Sequence, residues 1–112
     1  MLIKWGASTN LKSKVGWTPL MLACEYNQPG TAELLVDHIA DPNQWTSTRR
    51  TALMLASKAN MVSVIDKLIA AGAKVDLCSG ERWTALMFAA RYGANEAAMK
   101  LIAHGADLNM RS

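Results

Sequence analysis

At 112 residues, with 51% hydrophobic and 19% charged, the chain suits one compact domain with a single core. No apolar run approaches the roughly 18 residues that a membrane-spanning helix needs, and no basic region followed by a long apolar stretch opens the chain. Neither a span nor a secretory leader is therefore expected. The formal net charge of +3 permits acidic partners without demanding them.

In chain order, the phrase GWTPLMLA at 16–23 returns as RTALMLA at 50–56 and WTALMFA at 83–89, with Thr18, Thr51 and Thr84 spaced 33 residues apart. A second phrase keeps the same step. Gly72-Ala73-Lys74-Val75-Asp76 returns as Gly105-Ala106-Asp107-Leu108-Asn109, with Ile39-Ala40-Asp41-Pro42-Asn43 a degraded copy and Gly6-Ala7-Ser8-Thr9-Asn10 in register before it. Two phrases in fixed phase mark a stacked repeat array. The period divides the single domain into a partial repeat at 1–12 and repeats at 13–45, 46–78 and 79–112.

Each unit reads as two short helices and an extended finger. In the first unit, Pro29-Gly30 is expected to delay the second helix until about Thr31, and Ile39 stands where the other units end that helix with glycine. In the middle unit Val64, Ile65, Leu68 and Ile69 form a helical stripe, and Asn60, which tolerates a left-handed backbone, replaces the turn glycine. In the third, Thr84 caps a helix over Ala85-Leu86-Met87-Phe88-Ala89-Ala90, and Gly93 stops it. A second helix follows over about residues 95–104, its stripe Ala97, Ala98, Leu101 and Ile102, and Gly105 ends it at a position expected to need positive φ.

No combination of residues points to catalysis, a cofactor or a metal. His38 and His104 hold the same place in units one and three, too far apart to share an ion, and no phosphate loop, HExxH, GxSxG or paired-cysteine signature occurs. Glu33, Asp37, Asp66 and Glu96 read as a solvated face of the second helices. Cys24 and Cys78 form no CxxC pair and differ in phase, so both are expected as free thiols in a reducing, intracellular and cytoplasmic setting.

These phrases resemble the ankyrin repeat, whose unit carries TPLHxAA on its first helix and GAxVN after its second. The resemblance covers the whole chain and implies an all-α solenoid of helix-turn-helix units with extended finger loops. Met21, Met54 and Met87 replace the family's histidine, so its polar bond is expected to be lost to apolar packing. The last unit keeps an apolar stripe and the chain opens in mid-unit, with Leu2 and Ile3 matching Leu68 and Ile69, so further repeats are expected to flank this segment. The run GWTPLM, with ADPN and the arginine pair, is also similar to germ-cell ankyrin, SAM and leucine-zipper proteins of the piRNA pathway. That likeness implies a scaffold anchored at the mitochondrial outer membrane.

In the ankyrin family, finger tips and the exposed side of the first helices build a concave binding face. Carried onto this chain, the finger positions are Gly16, Trp17, Arg49, Arg50, Arg82 and Trp83, and the first-helix positions are Glu25, Tyr26, Lys58, Ala59, Arg91 and Tyr92. Arg49, Arg50, Lys58, Arg82 and Arg91 outnumber Glu25 and Glu81, so a basic, aromatic face is expected. Trp17 and Trp83 could instead pack on a neighbouring unit, and Arg49-Arg50 could serve solubility alone. Tyr26 and Tyr92 are expected to be exposed; Trp5 and Trp45 read as structural. The leading function is a non-catalytic protein-binding module or scaffold that takes an acidic or mixed segment of a partner. The alternatives are single-stranded nucleic-acid contact through the same face, by phosphate pairing and base stacking, and a spacer between other domains.

Overall fold

The computed structural model describes residues 16–38 and 41–107. Six helices lie there in three successive pairs: α1 (Pro19–Glu25) with α2 (Pro29–Val36), α3 (Ala52–Lys58) with α4 (Val62–Ala70), and α5 (Ala85–Arg91) with α6 (Asn95–Ala103). First helices pack on first helices and second on second, giving two layers with the core between them. The expected all-α solenoid is the fold observed. The only β pairing among the described residues is one antiparallel bridge between Trp45 and Thr51 in a finger. The expectations for Leu2, Ile3, Trp5, residues 6–10, Ile39 and Asn109 lie outside the described residues.

Every first helix starts at the repeated threonine. The hydroxyls of Thr18, Thr51 and Thr84 accept the N–H groups of Met21, Met54 and Met87 at 3.3, 3.4 and 3.3 Å, pairing donors that the helix cannot satisfy itself. In two units the methionine reciprocates. Thr18 N–H donates to Met21 Sδ at 3.5 Å and Thr51 N–H to Met54 Sδ at 3.4 Å, closing a capping box with sulfur, a weak acceptor, in place of an acidic side chain. The substitution of histidine by methionine therefore does not abolish the polar contact in these units, contrary to the sequence expectation. Met87 is only half-buried and closes no such box.

The first helices end at left-handed residues: Asn27 (φ 58°), Asn60 (φ 61°) and Gly93 (φ 68°). Asn60 thus does what the sequence assigns to it. Helix α2 begins at Pro29, earlier than expected. Proline at the first helical position lacks an N–H that would go unpaired there, and its φ is already helical, so Pro29 starts the helix where it was expected to delay it. Gly72 and Gly105 follow α4 and α6 with φ of 107° and 94°.

The middle unit is covered on both sides, which its neighbours' equivalents show. Leu53, Met54 and Ile65 are fully buried, whereas Leu86, Met87 and Ala98, one unit on, are half-buried. The predicted stripes are core at Val64, Ile65, Leu68, Ala97 and Leu101, but Ile69 is half-buried and Ile102 exposed, so each stripe is narrower than its pattern.

Polar side chains stitch one unit to the next. Asn43 donates from Nδ2 to Gly72 O at 3.1 Å and accepts Lys74 N–H at 2.7 Å; one unit later Asp76 accepts Asp107 N–H at 3.0 Å. Helix α6 has no side-chain cap of its own. Asn60 supplies it from the preceding unit, accepting Ala97 N–H at 2.9 Å and donating to Glu96 at 2.9 Å. Asn60→Gly keeps the left-handed turn and removes only this cap, so it should cost about 1 kcal/mol in denaturant unfolding. Asn60→Ala adds left-handed strain and should cost more; equal costs would show that the turn tolerates any residue.

Candidate partner-binding face

The fingers are tight turns repeated in phase. Thr46 N–H donates to Arg50 O at 3.0 Å and Arg49 N–H to Thr46 O at 2.8 Å; Ser79 N–H and Trp83 O, and Arg82 N–H and Ser79 O, repeat this at 2.8 Å each. The buried hydroxyl at the base of each turn accepts two more backbone N–H groups: Thr48 and Arg50 at 3.2 Å on Thr46, Glu81 at 3.3 Å and Trp83 at 3.2 Å on Ser79. Such a turn needs a left-handed fourth residue, and Gly16 (φ 81°), Arg49 (φ 61°) and Arg82 (φ 69°) fill that place in successive fingers. At Gly16 glycine also answers a close approach, since a Cβ would lie 2.7 Å from Thr46 Cα. Gly80 N–H donates to Thr48 O at 2.6 Å and ties the second and third fingers together.

Stacking places the expected charges against their neighbours. Lys58 pairs with Glu25 of the preceding first helix at 3.3 Å and lies over the Tyr92 ring of the following one, 5.3 Å from its centroid. Arg50 forms an ion pair with Glu81 and sits over Phe88 at 5.4 Å. Its Nε–H is buried without an acceptor. Arg91 lies over Trp83 at 5.6 Å, and Trp83 meets Phe88 with ring centroids 5.3 Å apart at 56°. Arg49 lies over Trp45 at 5.0 Å. Lys58 and Arg50 are thus neutralised within the fold, and among the described residues Arg49, Arg82 and Arg91 have no ion pair.

The aromatic residues divide. Trp17 and Trp83 are half-buried and packed on the core. Tyr26 and Tyr92 are 62% and 54% exposed. The sequence reading missed two participants, Trp45 and Phe88, and counted Glu81 on the face without its partner. Trp45, read as structural, is 44% exposed and carries Arg49; Phe88 underlies both Arg50 and Trp83; Glu81 is the partner of Arg50. The shared phase of Gly16, Arg49 and Arg82 is the signal of this geometry that the sequence carries.

The second helices present a different surface. Glu33 accepts from Ser63 Oγ at 2.5 Å, Asp37 pairs with Lys67 at 3.1 Å, and Asp66 pairs with Lys100 at 3.1 Å and His104 at 3.0 Å. The carboxylates expected to be merely solvated are therefore contacts between units. No group of three or more His, Cys, Asp or Glu among the described residues is placed to hold a metal. Both cysteines are free, and burial pushes the Cys24 thiol up to about 12, so it stays protonated and unreactive.

Hydrogen bonds from Arg50 and then Ser79 hold the Glu81 carboxyl below the ordinary carboxylate range, and those from His104 and Lys100 do the same for Asp66. A carboxyl depressed in the folded state adds stability that is complete above its unfolded value and fades as pH falls through the folded one. Melting midpoints measured from about pH 7 down to about pH 3 should therefore fall less steeply on the acid side for Glu81→Gln than for the parent chain. Superimposable profiles would show that the Arg50 pair contributes nothing to folding.

Comparison with curated proteins gives no significant match. The family model for ankyrin repeats matches in three copies, over residues 1–78 and 39–112. With threonine-capped helix pairs stacked at the same period and joined by finger turns, the chain belongs to the ankyrin-repeat family.

Proposed function

We propose that this chain is a non-catalytic module that binds a protein partner through its finger tips and first helices. Ankyrin repeats are in general protein-interaction modules, and this supports the class of function. One observation carries the choice of face: Tyr26 and Tyr92 stand exposed at the ends of α1 and α5, and Arg91, next to Tyr92 in the chain, has no ion pair among the described residues. Tyrosine and arginine combine rigid apolar area with directed hydrogen bonds and are enriched where binding energy concentrates. The partner segment is acidic or mixed in charge, because the cations left unpaired on this face are arginines. Glu25 and Glu81, paired with Lys58 and Arg50 on the same face, disfavour a continuous phosphate chain, so nucleic acid is the weaker reading.

The test is capture from a native lysate, with and without nuclease, by the parent chain and by Tyr26→Ala/Arg91→Ala/Tyr92→Ala. These three side chains lie outside the core, and equal helicity is checked first. A nuclease-resistant protein retained by the parent and lost by the variant is expected. Equal recovery by both would remove this face as the binding site, and a nuclease-sensitive partner would favour nucleic acid.

A further inference from the structure

Arg49 and Arg82 hold equivalent places one unit apart, and both adopt a left-handed backbone, with φ of 61° and 69°. In the finger before them the same place is taken by Gly16, which reaches that conformation without steric penalty. A residue with a Cβ is strained there, and asparagine or glycine would relieve the turn. Packing on the core does not ask for arginine. Both residues are exposed, and neither belongs to the core or the residues packed on it. No ion pair holds either one among the described residues. Strain kept at an exposed position, twice and in register, points to a use for the side chain itself.

Resting on the reading of this face as a partner-binding one, we propose that Arg49 and Arg82 form a two-point carboxylate clamp. Its ligand is an acidic segment of a partner protein laid across the second and third fingers. A guanidinium offers a planar fork of N–H donors that matches a carboxylate bidentately. Arg49 lies over Trp45, 5.0 Å from the ring centroid, and a guanidinium supported on an aromatic face keeps its N–H edge available. The bond from Gly80 N–H to Thr48 O ties the two fingers to each other, so the backbones that carry the two arginines are held side by side. Arg50, beside Arg49 in sequence, is already committed to Glu81 and takes no part. A polypeptide with spaced carboxylates avoids Glu81, which a uniform polyanion would meet.

The probe is a synthetic peptide whose glutamates are separated by uncharged residues, with a single-stranded oligonucleotide of equal charge as the comparison, each titrated by fluorescence anisotropy. Arg49→Gly/Arg82→Gly should melt no lower than the parent chain, yet bind the peptide at least about tenfold more weakly. Arg49→Lys/Arg82→Lys keeps the charge without the fork and should fall between the two. Loss of the lysate partner by Tyr26→Ala/Arg91→Ala/Tyr92→Ala tests the wider face, whereas the melting midpoint and peptide affinity of the glycine variant test the clamp, so the two readings can fail separately. The clamp is overturned if the parent fails to bind the peptide, if the glycine variant binds it as well as the parent does, or if the oligonucleotide binds more tightly. A lower melting midpoint for the glycine variant would overturn the strain on which it rests.

Discussion

Helices of seven to nine residues are below the length at which a helix is stable in water, and stacking is what holds these in place. Each pair buries its apolar side only against the next pair, so the middle unit, covered on both sides, has the fully buried Leu53, Met54 and Ile65. The polar chemistry follows the same rule. The cap of α6 comes from Asn60 of the preceding unit, and Asn43 and Asp76 reach forward to backbone groups one unit on. The units are thus joined by hydrogen bonds at every layer, from the second helices through the outgoing loops to the fingers.

Stacking also decides which charges are left for a partner. An equivalent position in each unit faces its counterparts above and below, so a cation in one unit is placed to meet an anion or a ring in the next. Lys58 is held between Glu25 and Tyr92, and Arg50 between Glu81 and Phe88. These partly exposed pairs contribute little energy individually, but they fix side chains that would otherwise sweep the surface. What remains is narrower than a uniformly basic face: exposed tyrosines at the ends of α1 and α5, and arginines at the finger tips.

Legibility in the sequence follows the range of each interaction. Threonine caps, left-handed asparagine and glycine, and the alternation of short helices depend on a few neighbouring residues, and the 33-residue period exposes them by repetition. Pro29 was misread because the same ring that blocks a helix interior suits its first turn. The ion pairs were hidden because their partners lie 30 to 38 residues apart, with offsets set by how units rotate on one another. Trp45 looked structural by its place in the outgoing strand, and only the turn that brings Arg49 over it shows its exposed role. The strain at Arg49 and Arg82 is implied by their phase with Gly16, although arginine at those positions reads first as charge and only through that phase as backbone geometry.

The division of the arginines into committed and available groups can be observed side chain by side chain. NMR of the arginine Nε–Hε groups during titration with a peptide of spaced glutamates would follow each fork separately. Movement of the Arg49 and Arg82 signals, with Arg50 unchanged, is the outcome expected if stacking commits Arg50 and leaves the finger tips free. Arg50 moving first, as its contact with Glu81 is displaced, would contradict that division and return the whole basic face to the partner.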